Sequence, residues 1–231
     1  GMASNLWFSA GGGGASALVR IAKDGAVEIR NGAQDIGTGT RTVMGMVAAE
    51  ELGIPLEMVT TKIGDTNDPQ GPMSGGSTTI GTLTPAARLA AHYAKKELLA
   101  VVATRKGWDP TDLDIRAARV IKNDGSDTGL SFKEACALMD DDAIEVLKAR
   151  PRRNYAGFSD TNAGVQAAEV EVDMDTGVVR VKKVVAVADA GKLINPLTAE
   201  SQVRGGVTQG VSYALHERRV MDRQKGRMLN D

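Results

Sequence analysis

The sequence predicts a mixed α/β fold, α+β in its segregation of elements, with two similar lobes of small mixed sheets carrying long helices. Three observations predict it. Short apolar-alternating stretches flank Asp-Gly or Asp-Thr-Gly turns near both ends of the chain. Longer stretches with the apolar spacing of helices follow each pair. The chain has 27 glycines against only 3% aromatic residues, and the glycines cluster, which marks backbone held in special conformations rather than flexible linker.

The elements follow in order. Residues 17–21 and 26–30 read as strands around the hairpin signal Lys23-Asp24-Gly25. A Gly/Thr turn at 35–40 opens an amphipathic helix over 41–52, closed by Gly53. Residues 58–63 read as a strand, 65–79 as a long polar loop, and 85–106 as a helix rich in Ala and free of Gly. The stretch 106–154 is less regular. It offers a strand and turn at 120–125, then a helix from Ser131 through Met139, opened by the capping-box spacing of Ser131 and Glu134. A basic break follows at 150–153. Residues 163–174 and 178–188 alternate as strands around Asp175-Thr176-Gly177. The turn Asp189-Ala190-Gly191 leads to Asn195-Pro196 and a helix over about 197–217. Both ends thus repeat strand, turn, strand, Asp-Xaa-Gly, helix. The expected division is a first lobe over 2–106, a connecting segment over 107–155 and a second lobe over 156–231.

The 231 residues are 42% hydrophobic and carry a net charge of −1. This balance gives no reason to expect nucleic acid or an anionic membrane as partner, and no apolar stretch approaches a membrane span. The one cysteine, Cys136, leaves no internal disulfide framework and no Cys-rich metal site. It suits a reducing compartment, so a cytoplasmic location is expected, with a periplasmic one open for the full-length protein. Gly1-Met2 reads as a tag remnant before a start methionine.

Several chemistries lack their residues. Gly157-Phe158-Ser159-Asp160-Thr161 and Gly210-Val211-Ser212-Tyr213-Ala214 miss the final glycine of a hydrolase elbow. No Gly-Lys-Ser/Thr of a P-loop occurs. His92 and His216 have no second His or Cys at ligand spacing, so structural roles are expected for both. Cys136 reads as a buried core thiol. Glu50 and Glu51 point apart on a helix and read as a solvated face and a structural contact.

Three Gly-containing turns each open a helix: Gly37-Thr38-Gly39-Thr40, Gly75-Gly76-Ser77-Thr78-Thr79, and Gly191 through Asn195-Pro196. A helix N-terminus offers unpaired N–H groups and partial positive charge. Glycine lets a phosphate approach the backbone, and Ser/Thr hydroxyls add donors. Asn195 before Pro196 also suits a plain N-cap. The turns are therefore either parts of one polyanion site or separate caps, and a shared site requires them to converge in space.

These residues carry a resemblance. Gln34-Asp35-Ile36-Gly37-Thr38-Gly39-Thr40-Arg41-Thr42, followed by Ala48-Ala49-Glu50-Glu51-Leu52-Gly53, resembles a cofactor segment of the large subunits of the xanthine dehydrogenase/aldehyde oxidase family of molybdenum hydroxylases. The stretch from Gly64-Asp65-Thr66 to Ser74-Gly75-Gly76-Ser77-Thr78-Thr79 resembles a second. Asp189 through Asn195-Pro196, with Glu200-Ser201-Gln202 and Gly205-Gly206-Val207-Thr208-Gln209-Gly210, resembles a third. Order and spacing agree over nearly the whole chain.

The resemblance implies the fold of that family's molybdopterin-binding domain. It implies cofactor-binding roles for Ile36, Gly37, Thr38, Gly39, Thr40, Gly76, Ser77, Thr78, Thr79, Gly191, Asn195, Thr198, Ser201 and Gln202. The cofactor would be a molybdopterin, often its cytosine dinucleotide, whose metal is held by the pterin dithiolene and not by protein side chains. The activity would be hydroxylation of aldehydes or purine- or isoquinoline-like N-heterocycles with water-derived oxygen. Partners would be the remainder of the molybdenum subunit and iron–sulfur and FAD subunits or domains. The family's catalytic glutamate lies in a Gly-Xaa-Gly-Glu segment that no residue between Gly1 and Asp231 matches. The chain is therefore expected to hold no catalytic residue and, alone, to be inactive and without cofactor. Two other readings stay open: a non-catalytic α/β binding or assembly module, and an unrelated phosphate-binding domain.

Overall fold

The computed structural model describes residues 1–8, 14–151 and 161–230. In chain order these form β1 (Met2–Phe8), β2 (Ser16–Ala22), β3 (Val27–Asn31), α1 (Thr40–Leu52), β4 (Val59–Ile63), α2 (Thr79–Lys106), β5 (Leu113–Arg116), β6 (Arg119–Lys122), β7 (Asp127–Ser131), α3 (Phe132–Cys136), β8 (Ala143–Ala149), β9 (Thr161–Val172), β10 (Val179–Asp189), α4 (Pro196–Leu215), β11 (Met221–Asp222) and β12 (Arg227–Met228). Two compact units result: Ser9–Asp160, and Gly1–Phe8 with Thr161–Asp231. The α/β class expected from the sequence is the one observed.

The unit Ser9–Asp160 is built on a four-stranded sheet of order β4-β3-β2-β8. Neighbours are antiparallel except β3 and β4, which run parallel from Val27↔Val59 to Asn31↔Ile63 and are joined through α1. Alternation fixes the buried face: Ala17, Val19 and Ile21 of β2 are fully buried, as is Ile29 of β3. Helix α2 lies over β2 and β8. Its Ala86, Ala87, Ala90, Ala91 and Ala94 have no exposed surface, and these small side chains recur at helical spacing, which lets the helix approach closely. Leu83, Leu98 and Val102 extend this stripe; burying each contributes about 1.5–3 kcal/mol. A three-stranded sheet, β5-β6-β7, lies beside them, with Phe132 and Cys136 of α3 buried in the same core.

Two positions join these layers. Gly53 ends α1 at φ 74, and a Cβ there would stand 1.9 Å from the Ile115 carbonyl oxygen of β5. No other residue meets both demands. Asn31, fully buried at the end of β3, donates from Nδ2 toward the Ser16, Pro69 and Gln70 carbonyls and accepts the Ala33 N–H at 2.7 Å. One side chain thereby fastens the polar loop after β4 to the sheet.

The second unit carries a sheet of order β1-β9-β10, antiparallel throughout, and the short hairpin β11–β12. Helix α4 contains no buried residue.

The structure differs from the sequence-based division in three respects. Strand β1, expected in the first lobe, pairs with β9 from Met2↔Ala167 to Phe8↔Thr161. The expected connecting segment is largely built into the first unit, since β8 pairs along the whole of β2. Helix α2 begins at Thr79 and carries Pro85 inside it. Pro85 falls in the second turn, where it removes one N–H; the Thr84 hydroxyl meanwhile donates to the Ile80 carbonyl at 2.9 Å. Residues 152–155 of the expected segment and the start of the expected second lobe lie outside the described residues.

Candidate functional site

The first Gly/Thr turn is organised by Asp35. Its Oδ1 accepts the Gly37 N–H at 3.0 Å and the Gly39 N–H at 3.1 Å, and its Oδ2 accepts the Arg41 N–H at 3.1 Å. Gly39, the N-cap of α1, has no side chain to cap with; Asp35, four residues upstream, supplies the carboxylate instead. Burial pushes the Asp35 carboxyl upward, but the N–H groups of Arg41, Gly37, Gly39 and Thr38 outweigh it and hold the group below its ordinary range. The expected free donors of this turn are thus already engaged from within the chain. Sequence reading quoted Asp35 in the motif but gave it no role. Its signal was the Asp-Xaa-Gly spacing of an Asx turn.

Around that turn, Ile36 is exposed, Thr40 is buried, and the hydroxyls of Thr38 and Thr40 lie 3.4 Å apart. Gly37 sits at φ 98, and a Cβ there would meet nothing within 4 Å.

The second turn stands beside the first. The Ser74 hydroxyl lies 3.2 Å from the Gln34 carbonyl oxygen and 3.1 Å from its Oε1. From there the chain passes through Gly76 at φ 60 and Ser77 at φ 61 into α2. Ser77 is a non-glycine residue in the left-handed region, a strained state that the surroundings must hold. The Thr78 hydroxyl donates within the loop, at 2.9 Å to the Gly75 carbonyl and 3.1 Å to that of Met73, and the Thr79 hydroxyl is 3.2 Å from the latter. A Cβ on Gly76 would meet no atom nearer than 3.9 Å. The Thr82 hydroxyl, buried one turn into α2, has no hydrogen-bond partner.

The third turn belongs to the other unit. Asp189 Oδ1 accepts the Gly191 N–H at 3.3 Å, repeating the Asp35–Gly37 contact, and Gly191 has φ 66 with open space where a Cβ would stand. Asn195 caps α4: its Oδ1 accepts the Thr198 N–H at 3.4 Å, and the Thr198 hydroxyl donates to its carbonyl at 3.2 Å. Pro196 occupies the first helical position. Ser201 and Gln202 are exposed on the next turn.

Within the unit Ser9–Asp160, the residues fit a group that lies against backbone at Gly37 and Gly76, where a Cβ would meet no atom nearer than 3.9 Å; Gly191 offers the same open backbone within its own unit. A phosphate at the Gly37, Gly39 and Arg41 N–H groups would instead have to displace the Asp35 carboxylate. Among the described residues no three His, Cys, Asp or Glu side chains are placed to hold a metal ion.

The other candidates have structural contacts. Glu51 Oε1 lies 2.8 Å from His92 Nδ1 and its Oε2 accepts from Arg88 at 2.9 Å, tying α1 to α2. Cys136 is fully buried. His216 follows the last residue of α4 as its C-cap and is exposed, rather than lying mid-helix. No helix among the described residues is long and apolar enough to cross a membrane.

The family model of the molybdopterin cofactor-binding domain matches residues 1–231. The chain belongs to this family. It is 32% identical over 217 residues to the aldehyde oxidoreductase molybdenum-binding subunit PaoC of Escherichia coli (strain K12), covering 93% of this chain and 28% of that protein. It is 30% identical to the nicotine 6-hydroxylase large subunit of Paenarthrobacter nicotinovorans, covering 90% of this chain and 26% of that protein. The crystal structure of quinoline 2-oxidoreductase from Pseudomonas putida 86 shares the fold, with a TM-score of 0.85 and 23% identity over 100% of this chain and 31% of that one. The chain thus spans under a third of the length of these proteins.

Proposed function

We propose that this chain holds part of a molybdopterin cofactor in an oxidoreductase that hydroxylates aldehydes or N-heterocycles with water-derived oxygen. The observation that carries the reading is the adjacency of two Gly turns in one unit. Gln34 and Ser74 join the turn that opens α1 to the turn that opens α2, and both turns present open glycine backbone. Membership of the family supplies the identity of the ligand.

In this reading the backbone at Gly76, Ser77, Thr78 and Thr79, at the start of the longest helix, receives a phosphate or pterin edge. Ile36, Gly37, Thr38, Gly39 and Thr40 form a second wall, whose N–H groups Asp35 keeps fixed rather than free. In the other unit, Gly191, Asn195, Thr198, Ser201 and Gln202 form a turn of the same kind, proposed by itself as a cofactor-binding element. The bound group supplies the redox chemistry; the chain's residues bind and orient it. The cytosine dinucleotide form, iron–sulfur and FAD partners and a cytoplasmic location belong to the same proposal.

The test is loading. A molybdenum subunit carrying this chain's sequence is incubated with molybdopterin and, separately, with its cytosine dinucleotide, and retained pterin is measured by fluorescence after oxidation, with molybdenum measured by mass spectrometry. Saturable retention that Ser77→Asp abolishes supports the reading; no retention of either form overturns it. A preference for the dinucleotide supports the finer assignment.

A further inference from the structure

Asn31 and Gly32 form the one Asn-Gly pair in the sequence. Such a pair is chemically fragile, because glycine has no side chain to shield its backbone nitrogen from the amide before it. It ordinarily occupies an open turn. Here it lies inside the unit Ser9–Asp160, at the end of β3. Asn31 has no exposed surface. Its Nδ2 lies 2.7, 3.2 and 3.1 Å from the Ser16, Pro69 and Gln70 carbonyl oxygens, and its Oδ1 accepts the Ala33 N–H at 2.7 Å. The Gly32 N–H donates to the Pro69 carbonyl at 2.8 Å.

The loop over 64–71 closes this pocket. The Ser16 N–H donates to the Gln70 carbonyl at 2.9 Å. At Gly71 a Cβ would stand 2.3 Å from the Ala33 nitrogen and 2.7 Å from Asn31 Oδ1, so the loop backbone lies against the pair with no room for a side chain. Deamidation needs the Gly32 nitrogen to lose its proton and the Asn31 Cγ to swing toward it. The Pro69 carbonyl holds the first group, and the hydrogen bonds of the amide hold the second. The fold therefore protects the pair for as long as the loop stays down.

We propose that Asn31-Gly32 is a latent deamidation site, closed by the loop over 64–71, and that its conversion keeps the loop from closing again. When the loop lifts, the Gly32 nitrogen gives its proton to water and attacks the Asn31 Cγ. The bond from Cγ to Nδ2 breaks, and Nδ2 takes a proton and leaves as ammonia. The cyclic imide then adds water at either carbonyl and opens to aspartate or isoaspartate. The net change is asparagine and water to acid and ammonia, with no oxidant or reductant. An ionised carboxylate only accepts hydrogen bonds. Back in the pocket it would face the Ser16, Pro69 and Gln70 carbonyl oxygens with no donor between them, a buried charge without a partner. The loop runs on into Ser74 and Gly76, so its release also parts the second Gly turn from the first. The inference needs no cofactor, so it stands or falls apart from the function proposed above.

The test follows Asn31 in a molybdenum subunit carrying this chain's sequence, folded and in urea, by peptide mass spectrometry that separates aspartate from isoaspartate. Conversion should be at least about a hundredfold slower in the folded protein, since a local opening must precede it. That slowing should be at least about tenfold less than the hydrogen-exchange protection of the Val19 amide in the sheet core, because a loop opens more readily than a core strand. Gly71→Ala should raise conversion in the folded protein at least about tenfold while Val19 keeps its protection. Asn31→Asp, the product itself, should speed exchange at the Ser16 and Gly32 amides, which donate into the loop. Equal conversion in folded and unfolded protein would overturn the proposal. So would a slowing as large as the Val19 protection, since the pair would then open only with the whole unit; this comparison uses the parent alone and holds even where Gly71→Ala does not fold. Parent-like exchange at Ser16 and Gly32 in Asn31→Asp would overturn the block on reclosure.

Discussion

The Ser74 hydroxyl sits within hydrogen-bonding distance of both the Gln34 carbonyl oxygen, at 3.2 Å, and the Gln34 side-chain oxygen, at 3.1 Å. This contact spans the two segments that precede α1 and α2, and it holds their turns in register. Ser74→Ala removes the hydroxyl that joins them. The fold should lose no more than about 0.5–1.5 kcal/mol, the net contribution of one hydrogen bond. Retention of molybdopterin should fall more than tenfold. Chemical denaturation beside a retention assay checks the pair; equal small effects on both would detach the contact from the site.

Ser77 offers a sharper separation of stability from binding. At φ 61 it carries strain that glycine would relieve, so Ser77→Gly should raise stability by up to about 1 kcal/mol. If its side chain serves the ligand, retention should fall in the same variant. Gly76→Val is a poorer probe, because φ 60 at Gly76 makes a β-branched residue costly to the fold whatever it does to the ligand. A Ser77→Gly protein that gains stability and keeps full retention would remove Ser77 from the site.

Asp35 should make stability depend on acid. Its pKa is lowered in the folded chain, so its contribution is present above the ordinary aspartate range and is lost as pH falls through the depressed folded value. Asp35→Asn keeps an acceptor for Gly37 and Gly39 but turns a donor toward the Arg41 N–H. A loss of about 0.5–1 kcal/mol at neutral pH is expected, with a flatter stability profile below pH 4 than the parent. Urea titrations at several acid pH values give the comparison.

Gly53→Ala should damage the fold although it adds a single methyl. The added carbon would meet the Ile115 carbonyl oxygen at 1.9 Å, and φ 74 is unfavourable for alanine. A loss of roughly 2–4 kcal/mol is expected, read as a lower thermal midpoint. A change below about 1 kcal/mol would mean that β5 can move away from α1 freely.

The β5–β6 hairpin can be improved. Its two-residue turn is Ala117-Ala118 at φ 47 and 58, where a tight hairpin ordinarily carries Asn-Gly. The double change Ala117→Asn with Ala118→Gly should stabilise by about 1 kcal/mol. A neutral or negative result would place the turn's strain elsewhere.

That same turn shows what the sequence conceals. The β2–β3 hairpin was legible because Asp24-Gly25 announces its turn and Val/Ile alternation announces its strands. The β5–β6 hairpin was not, because Ala-Ala carries no turn signal; the chain holds it through Gly53, whose carbonyl accepts the Ala118 N–H at 2.9 Å. Strands β1 and β8 were hidden for another reason. Their partners lie more than a hundred residues away in sequence, so no local pattern reports the pairing. In the candidate site, the Gly/Thr turns were legible as helix starts. Whether their N–H groups were free was not, because that depends on where the Asp35 carboxylate folds.

Cys136 is the chain's one thiol. Burial, with the Asp24 charge adding to it, pushes its pKa up to about 12. At pH 8 only on the order of one molecule in ten thousand would hold a thiolate there, and that one faces no solvent. A thiol reagent therefore reacts at the pace at which the core of Ser9–Asp160 opens. Cys136 is thus a stopwatch for that opening: the labelling rate, followed with time, gives the lifetime of one unit's closed state while remaining silent about the other.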